Sequence, residues 1–487
     1  MTYEISRRSL LRGGLGATAT ALALRPGDAL AGPQPGTLGR TDAEIYGVPT
    51  LNPLVERRAD PFITRRVTGG YYMTGSAPEY DRLVVRGAAT IAGLATAAES
   101  TVWKRPLLGK MGGHIWAPEL HRIEDRWYIY FAAGDSDDRF RIRMYVMEST
   151  LADPRDPTGW AAPQQIRTPW ESFSLDATTF EHLGRRYLVW AQSEPEIAVN
   201  TSLYIAEMSS PWAITGFPVR IATPTRAWET QGYKVNEGPA VLVRNGRVFI
   251  TFSASATDSR YCMGLLTASA DADLLDRATW TKTPDPIFTT NEQTKQYGPG
   301  HNSFTVAEDG VTDVLVFHAR DYRDIIGDPL YDPNRHARVQ KLYWHSDGTP
   351  LFGVPVGKGG PIVRLSPADA PKAYVRHFEF TCRVEEDVRE LADSQFRFVP
   401  GLGGDGSESL QSVNFPDRYI QVVGDRIVIE QWDGTAAAGQ RASFLRNTER
   451  KGISLQLTAD RSTYLRHDRG RLTVGTQAGL RTTFIRT

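Results

Sequence analysis

The sequence predicts an all-β protein, a five-bladed β-propeller followed by a β-trefoil domain. A hairpin over residues 236–252 carries the first indication. Val241-Leu242-Val243 and Val248-Phe249-Ile250-Thr251-Phe252 flank Arg244-Asn245-Gly246, and Asn-Gly between two β-rich runs is the strongest short-range hairpin signal. The second indication is recurrence. Arg126–Phe131, Arg185–Trp190, Arg247–Phe252 and Asp313–Phe317 superpose, with Gly70–Thr74 as a weaker fifth copy; taking Thr74, Phe131, Trp190, Phe252 and Phe317 as equivalent gives steps of 57, 59, 62 and 65 residues. A four-stranded sheet repeated at such a period is a propeller blade. The third is a shorter repeat near the C-terminus, with Tyr374, Tyr419 and Tyr464 spaced 45 residues apart, each followed by a closing Phe at 396, 444 or 484. Three such units bury a core only when they close together as a trefoil.

Some 14 to 16 residues before each propeller marker lie Asp60, Trp116, Asp176, Glu237 and His301. Innermost strands of a propeller surround one axis, so positions of equal phase converge there. Three carboxylates, one indole and one imidazole are therefore expected in one central pocket; the competing reading is five unrelated residues in surface loops. Glu237 stands out because Gly238 and Pro239 follow it, giving its carboxylate a crowded, rigid setting.

Length and composition frame the rest. At 487 residues and 41% hydrophobic, the chain is long enough for more than one core. Its 56 basic and 56 acidic residues cancel, so nothing directs it to nucleic acid or an anionic membrane, and a neutral polymer substrate suits that balance. Residues 1–31 read as a twin-arginine signal peptide: Arg7-Arg8 precedes a mild apolar run from Gly13 to Leu24 and a small-residue site at Ala29-Leu30-Ala31. Residues 32–44 read as a lead-in, and the mature protein is expected outside the cell. Cys262 and Cys382 are either a disulfide or two separate buried thiols, and no Cys–His spacing suits a metal.

Ala59-Asp60-Pro61, Leu175-Asp176-Ala177 and Asn236-Glu237-Gly238-Pro239, in this order and spacing, resemble glycoside hydrolase family 43, and the likeness spans about residues 45–357. Within that family the chain looks most like the exo-acting arabinofuranosidases. The resemblance implies inversion at the anomeric carbon, with Asp60 as general base, Glu237 as general acid and Asp176 raising the pKa of the acid. A neighbouring negative charge does disfavour ionisation, so the last role is physically sound. Trp116 would be the sugar platform, or else a core tryptophan. His301 matches an axial histidine that approaches a structural calcium ion or a water, or else is structural; no cofactor is required for the chemistry. Arg320 would hydrogen-bond sugar hydroxyls, or else pair with Asp321.

Gly357-Lys358-Gly359-Gly360 reads as a linker, and residues 358–487 resemble the arabinose-binding modules of carbohydrate-binding family 42, above all in Ser412–Tyr419. Such modules carry a His after the Tyr and an Asp before the closing Phe of each repeat. The first repeat keeps both, as His377 and Asp393. The second has Val422, and the third has His467 but Arg481-Thr482-Thr483 in place of the Asp. One working module site is expected. The whole reads as a monomeric, secreted hydrolase releasing L-arabinofuranose from α-1,5-linked arabinan. Alternatives are an arabinofuranosidase on arabinoxylan, a β-xylosidase or a galactofuranosidase of the same family, or a non-catalytic glycan-binding protein on the same scaffold.

Overall fold

The computed structural model describes residues 52–487 apart from 66, 68, 361 and 405. The expected leader and lead-in over 1–44 lie outside the described residues. Five antiparallel sheets follow one another: β1–β4 (Ala59–Ile63, Tyr71–Ser76, Arg82–Ala88, Ser100–Lys104), β5–β8 (Ile115–Ile123, Arg126–Ala133, Arg143–Ser149, Gln164–Gln165), β9–β12 (Ser174–His182, Arg185–Gln192, Ser202–Ser210, Ala213–Ala222), β13–β16 (Asn236–Arg244, Arg247–Ala254, Cys262–Ser269, Thr281–Lys282) and β17–β19 (Tyr297–Val306, Asp313–Arg320, His336–Lys341). These are the five propeller blades. The fifth has three strands of its own, and residues 52–55 complete it: Leu54 and Val55 N–H donate to Ala337 O, and Ala337 N–H donates back to Val55 O at 2.9 Å. The start of the described chain thus clasps its last blade and closes the ring.

Strand alternation explains the packing. Tyr187, Val189 and Ala191 of β10 pack with Val248, Ile250 and Phe252 of β14, while Leu188 and Trp190 turn to the other side, against Tyr130, Met144 and Val146 of the second blade. Each such aliphatic side chain contributes about 1.5–3 kcal/mol when fully buried. The turn at Asn245-Gly246 has both residues at positive φ, 52° and 69°, as a two-residue hairpin of the primed type requires. Arg244, at the end of β13, forms a bidentate pair with Asp313 at the start of β18 (3.1 and 2.6 Å), both fully buried, and ties blade four to blade five.

Pairing corrects one sequence marker. Thr74 faces Phe62, three residues beyond Ala59, just as Tyr130 faces Glu119, three beyond Trp116. The first-blade equivalent of Phe131 is therefore Gly75 rather than Thr74.

After a short hairpin, β20–β21 (Tyr343–Trp344, Pro350–Leu351), twelve strands make the C-terminal unit. Each 45-residue repeat supplies four: β22–β25 (Leu365–Pro367, Ala373–Phe378, Thr381–Glu386, Phe396–Pro400), β26–β29 (Glu408–Ser412, Arg418–Val423, Arg426–Gln431, Phe444–Glu449) and β30–β33 (Gly452–Leu457, Tyr464–Asp468, Arg471–Gly475, Thr483–Arg486). Strands β22, β33, β30, β29, β26 and β25 pair in series, and a Val363–Phe396 bridge shuts the ring. Hairpin strand β24 meets both β28 and β32 across one end. Phe396, Phe444 and Phe484, the three closing phenylalanines, are fully buried in one core. Glycine content misleads at residues 357–360: Arg397 donates to the carbonyls of Gly357, Lys358 and Gly360 at 2.9–3.2 Å, so this stretch is pinned rather than loose. Cys262 lies in a propeller core and Cys382 in the C-terminal core, both as free thiols.

Candidate active site

Every innermost strand opens with a bulge. Partner registers jump after Ala59, Trp116, Leu175, Glu237 and Gly300, and the next residue in each blade has positive φ: Asp60 (52°), Ala117 (46°), Asp176 (58°), Gly238 (54°) and His301 (43°). Four of these five are not glycine, and a left-handed backbone costs such residues of order 1–3 kcal/mol each. The equal-phase set is thus Asp60, Ala117, Asp176, Gly238 and His301. Trp116 and Glu237 sit one position earlier than the sequence alignment placed them. A one-residue offset would turn a side chain away from the axis in a regular strand. The bulge re-aims it instead, so Glu237 still faces the pocket. At Gly238 a side chain would be disfavoured twice, strained by φ and crowded by His301, whose Cγ would lie 3.1 Å from a Cβ.

A bulge frees a backbone N–H, which must find a partner. In four blades the partner is a side chain of the preceding blade. Ser76 Oγ accepts from Ala117 N–H (2.8 Å), Asp176 Oδ2 from Gly238 N–H (2.9 Å), Ser253 Oγ from His301 N–H (2.7 Å) and His318 Nδ1 from Asp60 N–H (3.1 Å). Blade-to-blade order and pocket geometry are fixed by the same bonds.

Asp60 is buried yet held ionised. Burial pushes its pKa up, but His301 (Nδ1 3.3 Å from Oδ1), Arg335 (3.4 Å) and the donated Ser76 hydroxyl overcome it, and the carboxyl lies well below the usual range. His318 is also 3.4 Å from the carboxylate. Its Nδ1 accepts the Asp60 N–H and its own pKa is driven far down by burial, so it is neutral and adds no charge. His301 is the reverse: burial opposes its charge, but Asp60, Asp176 and Glu237 outweigh burial and raise its pKa.

Glu237 and Asp176 are pushed the other way. Burial first, and the Asp176 charge second, raise Glu237 to about 7, against the Tyr261 hydroxyl donating to Oε1 at 2.8 Å. Burial raises Asp176 to about 6, against His301 and the Gly238 N–H. One carboxylate kept charged beside another kept protonated near neutrality is the pairing that separates base from acid.

The expected sugar contacts need revision. Trp116 is 9% exposed and lies parallel to His114 (4.9 Å, 18°), with Tyr80 at its edge, so its indole offers no open face. Arg320 is wholly buried, and its donors go to Asp332 Oδ1 (3.0 Å), Thr257 O (2.7 Å) and Pro329 O (2.8 Å); it braces the β18–β19 loop instead of reaching sugar. Asp321, its alternative partner, pairs with Arg338. The cation at the cluster is Arg335, whose Nη2 also donates to Tyr80 Oη (2.7 Å). Sequence reading missed Arg335, Tyr261, Ser76 and His318, which lie outside the innermost-strand motifs.

Calcium takes six to eight oxygen ligands. Among the described residues no group of three or more histidine, cysteine or carboxylate side chains is placed to hold an ion, and His301 turns Nδ1 to Asp60. The calcium ion expected near His301 therefore has no such side-chain cage among the described residues.

In the C-terminal unit, Asp393 Oδ1 lies 3.5 Å from His377 Nε2 and accepts from Asn414 Nδ2 (2.8 Å), while Arg376 holds Oδ2. The third repeat is not without a carboxylate: Asp369, five residues before Tyr374 as Asn414 is before Tyr419, sits 3.3 Å from His467 Nδ1, with Arg481 beside it. No such pair forms at Val422.

Residues 50–350 match the model of glycosyl hydrolases family 43, and residues 363–486 match the alpha-L-arabinofuranosidase B domain. The chain is 54% identical over 395 residues to an extracellular exo-α-(1→5)-L-arabinofuranosidase of Streptomyces avermitilis, covering 81% of this chain and 82% of that protein. It is 49% identical over 444 residues to alpha-L-arabinofuranosidase 43 of Humicola insolens, covering 88% and 92%. The crystal structure of an alpha-L-arabinofuranosidase from Lactobacillus brevis superposes with a TM-score of 0.62 at 52% identity, covering 64% of this chain and 98% of that one. With more than half its length in the first match, and a bulged carboxylate cluster at the axis, the chain belongs to glycosyl hydrolases family 43.

Proposed function

We propose that this glycoside hydrolase is secreted by the twin-arginine route and releases L-arabinofuranose from the ends of α-1,5-linked arabinan and arabino-oligosaccharides, with inversion. The observation that carries it is the opposed protonation of Asp60 and Glu237 within one axial cluster. Asp60, ionised by His301 and Arg335, takes a proton from the attacking water. Glu237, protonated to about 7, gives its proton to the departing glycosidic oxygen. Asp176 keeps that proton in place and fixes the Glu237 backbone through Gly238 N–H. The substrate is supported by what the relatives are named for. End-wise action is supported by the β18–β19 loop of blade five, which reaches across blade one: Leu330 O accepts from Tyr80 Oη (2.6 Å) and Tyr331 packs on His114. One side of the mouth is thereby walled.

The C-terminal unit holds the polymer. Its two imidazole–carboxylate pairs, His377–Asp393 and His467–Asp369, support two sugar sites rather than one. Product sizing on linear arabinan, debranched arabinan and arabinoxylan tests the reading. Monomer from the first two is expected; oligomers released first, or action on arabinoxylan alone, would replace it.

A further inference from the structure

A buried ion pair stands behind the strand that carries Glu237. Glu229 ends a short helical turn, Ala227–Glu229, in the β12–β13 loop, the crossing from blade three to blade four. Its side chain is fully buried. Oε2 accepts from Thr225 N–H, Arg226 N–H and Lys282 Nζ, all at 2.8 Å, and Oε1 accepts from Lys282 Nζ (2.7 Å) and Asn236 Nδ2 (3.1 Å). Lys282, in β16, also donates to Thr223 O at 2.8 Å, so the pair staples the loop to the last strand of its blade.

Asn236 immediately precedes Glu237, and it is fully buried too. Besides Glu229, it is held by Thr201, which leads into β11: Asn236 N–H donates to Thr201 O (3.2 Å), and Thr201 Oγ1 donates to Asn236 O (3.0 Å). On the other side of Glu237, Gly238 N–H is tied to Asp176. The partner register jumps between Glu237 and Ala240, so strand pairing alone leaves the aim of the Glu237 side chain open. The clamps on its two neighbours set it. In the five blades the residue at the place of Asn236 is Arg58, Ile115, Ser174, Asn236 or Pro299. Arg58 and Asn236, in the blades that carry Asp60 and Glu237, each reach a carboxylate, Glu99 and Glu229 respectively. Ile115 and Pro299 have no polar side chain with which to do so.

We propose that Glu229 is a positioning residue for the general acid, acting through Asn236. This rests on the hydrolase reading above. Proton donation requires the Glu237 carboxyl within hydrogen-bond reach of the departing oxygen, and a misplacement of about 1 Å costs up to about 10²-fold in rate. All the partners of Glu229 are donors, which an ionised carboxylate satisfies and an amide does not: Glu229→Gln turns an N–H toward another donor and loosens the hold on Asn236.

Two experiments on the full chain test it. In the first, kcat and KM of Glu229→Gln are measured on arabinobiose, whose leaving alkoxide needs a proton, and on 4-nitrophenyl α-L-arabinofuranoside, whose phenolate leaves without one. On arabinobiose kcat should fall about tenfold with KM little changed, whereas on the nitrophenyl glycoside the loss should be about twofold at most. Equal losses on the two substrates, or none on either, overturn the proposal and leave Glu229 a brace of the fold. Glu237→Gln, measured alongside, should show the same selectivity in greater degree. Selectivity in Glu237→Gln but not in Glu229→Gln sinks the positioning role alone; its absence from Glu237→Gln sinks the hydrolase reading, and the positioning role with it. The second experiment tests the route, and it also serves if Glu229→Gln does not fold. Asn236→Ala should give the same selective loss, and the double variant should lose no more than Asn236→Ala does, as for two residues acting in series. An unchanged substrate ratio in Asn236→Ala, or additive losses in the double variant, contradicts the proposal.

Discussion

Replacing Asp176 with asparagine removes one charge beside Glu237 while keeping an oxygen for the Gly238 N–H. Glu237 stands at about 7 rather than the ordinary 4.5, a bias against ionisation of about 3.4 kcal/mol at most, since the residue is only partly buried. Burial is the larger cause and survives the substitution. The Asp176 charge is the second and does not. With burial unchanged, the acid should lose its proton about one pH unit earlier, about 1.4 kcal/mol. The assay is kcat/KM on arabinobiose from pH 4 to 9. Because Asp176 and Glu237 titrate as a pair, the claim concerns the alkaline limb of the profile as a whole. That limb should move from near 7 toward 6, with activity at pH 5 retained far better than at pH 7. A limb that stays in place, or moves up, refutes the electrostatic role of Asp176. The same sign governs stability. Glu237 has a folded pKa above its unfolded one, so its protonated form stabilises the fold below the unfolded pKa, and this is lost as pH rises through about 7. Glu237→Gln should therefore gain in melting temperature over wild type at pH 8 but not at pH 4.

Glu237→Gln and Asp60→Asn should each lower kcat by about 10²–10⁴-fold on arabinobiose with binding largely kept, and near wild-type turnover in either would remove that residue from its role. Tyr261→Phe deletes the hydrogen bond that favours ionised Glu237, so its alkaline limb should rise, opposite in direction to Asp176→Asn; a downward move would mean that the hydroxyl instead supports the neutral acid. On insoluble arabinan, His377→Ala and His467→Ala should each weaken retention and the pair abolish it, since linked sites act by effective concentration. Full retention in the His467 variant would return the module to a single site.

The blades and the trefoil repeats were legible because both rest on strand patterning repeated at fixed length. What sequence hid was a matter of single residues. Trp116 and Glu237 were aligned with Asp60 and His301 although the bulges place them one position earlier, because a bulge leaves no periodic mark. Gly238 and Ala117 occupy the vacated axial positions, and neither announces itself as chemistry. Arg335 and Tyr261 stand in loops, each just ahead of the third strand of its blade, where each is one arginine or tyrosine among many, and only folding brings them to Asp60 and Glu237. Arg320 failed in the opposite way: it follows the right strand, but Asp332 and two carbonyls claim its donors. Asp369 was missed because the lost carboxylate of the third repeat is supplied from the lead-in to the first.

The central claim, water attack by Asp60 with proton donation by Glu237 at a chain end, is tested most directly by proton NMR of wild-type enzyme acting on linear α-1,5-arabinan. The account predicts that the first free sugar is monomeric arabinofuranose in the β configuration, appearing before mutarotation builds the α form; α-arabinose appearing first, or oligosaccharides preceding monomer, would contradict it.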